Sequence, residues 1–121
     1  MSAPAQNSTP ATGTTNEVLP AVTTLVHAAR LAMKEDKPIL LDYYADTYNN
    51  KAFMGEDTDT KEKMLVKSTD EFTSLIQKVY KVQEDFLVMT ENSIYVVSGK
   101  IQKRRIQAAQ MRAVNDFETL S

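Results

Sequence analysis

The apolar positions follow a helical period only near the start of the chain. They recur at intervals of three and four, which predicts one amphipathic helix over residues 17–36. Asn16 can cap this helix, and Pro20 lies in its first turn, where a missing N–H costs little. Pro38 disfavours helical geometry before it and predicts the end of the helix near Asp36. The predicted apolar stripe consists of Val18, Val22, Leu25, Val26, Ala29, Ala32 and Met33.

Between Ile39 and Ile106 the pattern becomes that of short strands. Runs of strand-forming residues alternate with turn residues at intervals of roughly ten positions, which predicts an antiparallel meander. Two segments, FLVM and IYVV, are apolar on both faces, so we expect them to be central strands that are covered on each side. The predicted strands are 39–44, 51–54, 63–67, 76–82, 86–90 and 94–98, with an edge strand over 100–106.

These patterns together predict the α+β class, mainly β. We expect a small curled antiparallel sheet or barrel-like meander, with the amphipathic helix as a lid. The chain divides into a tail over 1–16, the helix over 17–36, a β domain over 37–107 and a short carboxy-terminal helix over 108–121. The tail has no charged or aromatic side chain, which predicts that it is disordered or is ordered only by a partner.

Composition narrows the kinds of site that this chain can carry. With 121 residues, 42% of them hydrophobic and 25% charged, the chain suits one globular domain with a modest core. The 14 basic and 16 acidic side chains give a net charge of -2, so no field of one sign covers the molecule. There is no cysteine and one histidine, His27, which argues against thiolate and multi-histidine metal sites. We expect neither a secretory signal nor a membrane span.

The strongest charge feature is the basic run of Lys100, Lys103, Arg104 and Arg105. From Lys100 onward, five basic and two acidic residues give +3. Such a run can contact a protein, grip phosphate or keep an edge strand from aggregating. No aromatic residue is interleaved for base stacking, which favours a solvated edge or a protein contact over nucleic acid. The candidate partner-binding residues are Lys100, Lys103, Arg104, Arg105, Met111, Val114 and Phe117, the last three from the carboxy-terminal apolar stripe.

Two groups of carboxylates invite a chemical interpretation, and both have a simpler one. The acidic loop over 56–60 lacks the alternate ligand spacing of an EF-hand, which favours a solvated hairpin loop. Asp42 and Asp46 flank tyrosines, and an alternating strand explains them without acid–base chemistry. The sequence has no glycine-rich phosphate loop, nucleophile elbow or metalloprotease motif. We therefore expect a protein that is not an enzyme and that uses no cofactor or metal ion.

Three segments stand out in the central block: KPILLDYYADTYNNKAFMG, EKMLVKSTDEFTSLIQKVYKV and EDFLVMTENSIYVVSGKI. Their distinctive pieces are the DYY opening, LVKSTDEFTS and VMTENSIYVVS, and none of these is a catalytic motif. The block, over about residues 37–106, resembles a group of small proteins of unassigned function from nucleocytoplasmic large DNA viruses. Where that group often reads TSPI, this chain has Thr73-Ser74-Leu75-Ile76, and the flanking helices have no counterpart.

The resemblance implies a virally encoded module, a minor virion component that packs beside larger capsid proteins. We therefore expect a structural protein of the virion and the host cytoplasm, assembled with larger capsid or other virion proteins. The alternative is a small β-barrel that acts as a nucleic-acid-binding or adaptor module through the basic run at residues 100–105.

Overall fold

The computed structural model describes residues 18–108, which form a mainly β structure. The predicted α+β class is confirmed. The predicted tail over 1–16 and all but the first residue of the predicted helix over 108–121 lie outside the described residues. In chain order the elements are α1 (Val22–Glu35), β1 (Ile39–Leu40), α2 (Tyr44–Tyr48), β2 (Phe53–Asp57), β3 (Lys63–Val66), β4 (Ile76–Val82), β5 (Asp85–Thr90), β6 (Ile94–Ser98) and β7 (Gln102–Ile106).

The strands form two mixed sheets that are not closed into a barrel. The first sheet has the order β1-β6-β5-β4, and the second has the order β3-β2-β7. The predicted antiparallel meander is present in β4, β5 and β6, whereas β1 is parallel to β6 and β2 is parallel to β7. Parallel strands need a long connection between them. Here the connection from β1 to β6 runs through α2 and the strands β2 to β5, and the connection from β2 to β7 runs through β3 to β6.

The hydrophobic core lies on both faces of the first sheet. Val88 and Val97 point toward the second sheet and pack there with Leu65. Leu87 and Val96 point the other way and pack under α1. Because β5 and β6 are buried on both faces, the prediction that they are covered central strands is confirmed.

Helix α1 buries a different face from the one that the sequence pattern predicts. Thr24 and Ala28 are 0% exposed, whereas Val22 is 76% and Met33 is 79% exposed. The Thr24 hydroxyl donates a hydrogen bond to the buried carboxylate of Asp85 at 2.7 Å, and the small side chain of Ala28 lets the helix approach the sheet closely. The predicted stripe is therefore wrong for Val22, Val26, Ala29 and Met33, which are exposed, because a polar anchor sets the rotation of the helix.

The segment that follows β1 leads into the helix α2, whereas the sequence pattern predicts one strand over residues 39–44. Tyr43 and Tyr44 are both buried, and they belong to the two different cores. The hydroxyl of Thr47 donates toward the carbonyl oxygens of Tyr43 and Tyr44, each 2.8 Å away. Local bonds of this kind from a side chain to the backbone offer the chain an alternative to a strand ladder, which accounts for the wrong prediction.

Candidate functional site

The predicted basic run lies on β7 and in the turn before it. Residues 102–105 are all exposed, as is Lys100. β7 is the outer strand of the second sheet and pairs with β2 on one side; within residues 18–108 no strand pairs with its other side. No basic residue of the run forms an ion pair inside the same part of the chain. The edge strand is thus confirmed, and it offers exposed positive charges beside an open strand edge.

The main-chain groups of Lys103 and Arg105 point away from the sheet. The carbonyl oxygen of Ile106 accepts a hydrogen bond at 3.0 Å from the N–H of Thr58, directly after β2, so the main chain of Ile106 faces β2. Main-chain groups in a strand change direction at each residue. Those of Arg104 therefore face β2 as well, and the N–H and C=O of Lys103 and Arg105 face the open side. An added strand could pair with these four groups.

The aromatic rings nearest to the basic run are covered by its cations. The Lys100 Nζ lies 4.0 Å from the ring centroid of Tyr48, and the Arg104 guanidinium carbon lies 4.6 Å from that of Phe53. Both rings come from elements far earlier in the chain, so inspection of the run itself could not reveal them. A ring face that already holds a cation is not open for base stacking.

A small cavity opens between the two sheets beside β7, and we call it the inter-sheet mouth. It has a volume of about 100 Å³. Its floor is apolar, since Met54 and Ile101 are buried, and Val79 stands at the opening with 41% of its surface exposed. Lys63 and Lys103 supply its charged walls from β3 and β7, the two neighbours of β2. The lining residues are Met54, Lys63, Val79, Phe86, Ile101 and Lys103.

The carboxylates of Asp42 and Asp46 meet at a lysine. The Lys67 Nζ lies 3.9 Å from Asp42, 3.4 Å from Asp46 and 3.6 Å from Glu71, and 4.5 Å from the ring centroid of Tyr43. Burial, and next the negative charge of Glu71, raise the pKa of the Tyr43 phenol above its ordinary value. This network joins the start of α2 to the loop after β3, and it gives the two aspartates a structural role that the sequence pattern does not show.

The acidic loop begins later than predicted. Glu56 and Asp57 belong to β2, and Asp57 is buried. The Asp57 carboxylate accepts a hydrogen bond at 2.8 Å from the hydroxyl of Thr60, and this bond lowers the pKa of Asp57. The carboxylate therefore closes its own turn. Within residues 18–108 no group of three or more acidic or histidine side chains is arranged to hold a metal ion.

Asp85 is the centre of a buried polar cluster that the sequence pattern does not show. Asp85 is 5% exposed, and its carboxylate accepts hydrogen bonds from the Thr24 hydroxyl at 2.7 Å and from the Tyr44 hydroxyl at 2.6 Å. Burial, and next the hydrogen bond to Asp85, raise the pKa of Tyr44. One carboxylate thus fastens α1 and α2 to β5, which stabilises the face of the first sheet that lies away from the second sheet.

Two further features of the sequence analysis concern His27 and the apolar candidates for partner binding near the carboxy terminus. His27 is exposed on α1. Met111, Val114 and Phe117, the apolar candidates for partner binding, lie outside the described residues. Exposed apolar side chains in the described part of the chain include Val22 and Met33 on α1 and Val79 on β4.

Comparison of the chain with protein-family models, curated proteins and solved structures finds no match. The viral family resemblance and the virion role that it implies therefore stay predictions. Neither helix between residues 18 and 108 has the length and apolar character that a membrane crossing requires.

Proposed function

We propose that this protein is a non-enzymatic binding module that holds an acidic, extended segment of a larger partner protein along the open side of β7. The observation that supports this proposal is the coincidence of two features on one strand. The main-chain groups of Lys103 and Arg105 face outward, and exposed basic side chains surround them. Addition of a strand to an open sheet edge is a common mode of peptide recognition.

The charge of β7 determines which kind of strand can be added. Lys103 and Arg105 share the inner face of the sheet, because they stand in register with Met54 and Glu56 of β2. Arg104 lies on the outer face. An incoming segment with acidic residues therefore meets positive charge whichever face its side chains occupy. A second copy of β7 would bring like charges together, which is unfavourable across a strand pair.

The same geometry favours a polypeptide over nucleic acid. Nucleic acid would contact the basic side chains. The outward N–H and C=O groups, however, have the spacing that pairs with the main chain of another strand. Tyr48 and Phe53, the rings closest to the run, are covered by Lys100 and Arg104. Stacking of bases on open rings supplies much of the affinity of single-stranded nucleic acid for small β folds.

The viral resemblance would place the partner among the larger capsid subunits. In that setting the module is a minor virion component, and the acidic segment belongs to a subunit beside it. This assignment rests on the resemblance alone, whereas the acidic, extended character of the segment follows from β7.

Two substitutions at one residue test the proposed mode. Arg105→Ala and Arg105→Pro remove the same charge, but only proline also removes the outward N–H. Proline is tolerated on an edge strand where the N–H faces solvent, so both variants are expected to fold. Binding is measured by fluorescence anisotropy with a labelled peptide of glutamate and threonine and, separately, with single-stranded DNA.

We expect the alanine variant to bind the peptide more weakly than the wild type, and the proline variant to bind it more weakly still. Arg30→Ala, a charge removal on α1, is the matched control and should leave binding unchanged. Equal loss in the two Arg105 variants would refute strand addition. Tighter binding to DNA than to the peptide, with a steep salt dependence, would favour the nucleic-acid alternative instead.

A further inference from the structure

We propose that the inter-sheet mouth binds one aliphatic side chain of the acidic segment, so that the module recognises a leucine, isoleucine or valine flanked by acidic residues. This inference rests on the proposed function, because the segment must lie along β7 to present the side chain. It goes beyond that function by naming the sequence that the module selects.

The size and lining of the mouth indicate the kind of side chain. An apolar cavity of roughly 150 Å³ holds a benzene molecule. The mouth has about 100 Å³, which suits a branched aliphatic side chain and is small for an aromatic ring. Its buried surfaces come from Met54 and Ile101, and Phe86 closes one wall. A polar side chain placed there would lose its hydration without gaining a hydrogen-bond partner from this apolar floor.

The walls of the mouth account for the acidic flanks. Lys63 and Lys103 line it from opposite sides, and Arg105 shares their face of the sheet. Glu56 is on this face too, in register with Lys63 and Arg105, so three cations outnumber one carboxylate there. The surplus of positive charge around an apolar opening complements an aliphatic residue with acidic neighbours.

The position of the mouth fits a segment that is paired with β7. A strand added to β7 would run about 4.8 Å beyond it. Side chains of that strand that point to the inner face would stand next to Lys103, which is both on β7 and in the wall of the mouth. An aliphatic side chain at that point would lie on the same face of the sheet as the opening of the mouth.

The test uses two labelled peptides of glutamate and threonine that differ only at the centre, where one has leucine and the other has serine. Binding of each to the full chain is measured by fluorescence anisotropy. Val79→Phe fills the opening, and Val26→Phe is the matched control, since these two valines are 41% and 42% exposed. We expect the wild type and the Val26 variant to prefer the leucine peptide by at least about tenfold, because burial of a leucine side chain is worth that much.

The Val79→Phe variant is expected to lose this preference while it still binds the serine peptide. If the wild type binds both peptides equally, the aliphatic pocket is refuted and the proposed function stands. If it binds neither, both fail. Binding of the leucine peptide that appears only after residues 109–121 are deleted would mean that the mouth serves this chain's own carboxy-terminal segment, which would also overturn the proposal.

Discussion

The hydrogen bond from Thr24 to Asp85 is the best place to test how α1 is held on the first sheet. Thr24→Val keeps the shape of the side chain and removes its hydroxyl, so the carboxylate of Asp85, a residue that is 5% exposed, loses one of its two hydroxyl donors. Hydrogen bonds to charged groups contribute about 1.5–3 kcal/mol. We expect the free energy of unfolding to fall by that amount, which is a large part of the roughly 5–15 kcal/mol typical of a domain.

The change is measured by urea unfolding of the full chain with linear extrapolation to water. Thr23→Val is the matched control, because Thr23 is the neighbouring residue on the same helix and is exposed. It should change the free energy of unfolding by no more than about 0.5 kcal/mol. If the two variants lose the same stability, the bond does not anchor α1 and the account of the helix rotation is refuted.

Three further predictions concern the helix face and the response to pH. Met33→Ser should change the free energy of unfolding by no more than about 0.5 kcal/mol, whereas Ala28→Leu should lower it by about 1–3 kcal/mol through overpacking. Urea unfolding measures both changes. A larger loss for Met33→Ser than for Ala28→Leu would mean that α1 turns a different face to the sheet. The Thr60 bond lowers the pKa of Asp57, so its stabilisation is present above the unfolded value of about 4 and is lost as pH falls through the folded pKa. Acid titration of stability should therefore be less steep for Asp57→Asn, and an unchanged curve would contradict this. Because burial raises the pKa of Tyr44, stability should fall as pH rises above the unfolded value of about 10, and less so in Tyr44→Phe. Equal alkaline curves would refute that assignment.

The parts of the fold that the sequence pattern predicts well depend on neighbours in the chain. β4, β5 and β6 follow one another through short turns, and their apolar residues show which strands are covered on both faces. The edge position of β7 follows in the same way from its run of charged residues. The signals for β4, β5 and β6 are strong because each of these strands pairs with a strand that is adjacent to it in sequence.

The parts that the pattern misses depend on contacts between distant residues. Asp85 bonds to Thr24 and Tyr44, which are 61 and 41 positions away, and the first of these bonds turns α1 against its apparent apolar stripe. The parallel pairs, β1 with β6 and β2 with β7, likewise join strands that are far apart in the chain. No periodicity within one segment carries information of this kind.

The candidate site likewise has one part that the sequence pattern shows and one part that it does not show. The basic run was evident because its residues are consecutive or nearly so, as in Lys103, Arg104 and Arg105. The inter-sheet mouth was not evident, because its walls come from β2, β3, β4, β5 and β7 and the turn that precedes β7. The outward direction of the main chain at Lys103 also needs the register with β2, which only the folded chain provides.

The most direct measurement of strand addition is amide hydrogen exchange on β7, followed residue by residue by NMR with and without the acidic leucine peptide. In the free protein the amides of Lys103 and Arg105 should exchange rapidly, and those of Arg104 and Ile106 slowly, because only the latter two face β2. On addition of the peptide, the amides of Lys103 and Arg105 should become protected. Peptide binding that leaves both amides exchanging as fast as before would contradict the central claim that the partner pairs with the open side of β7.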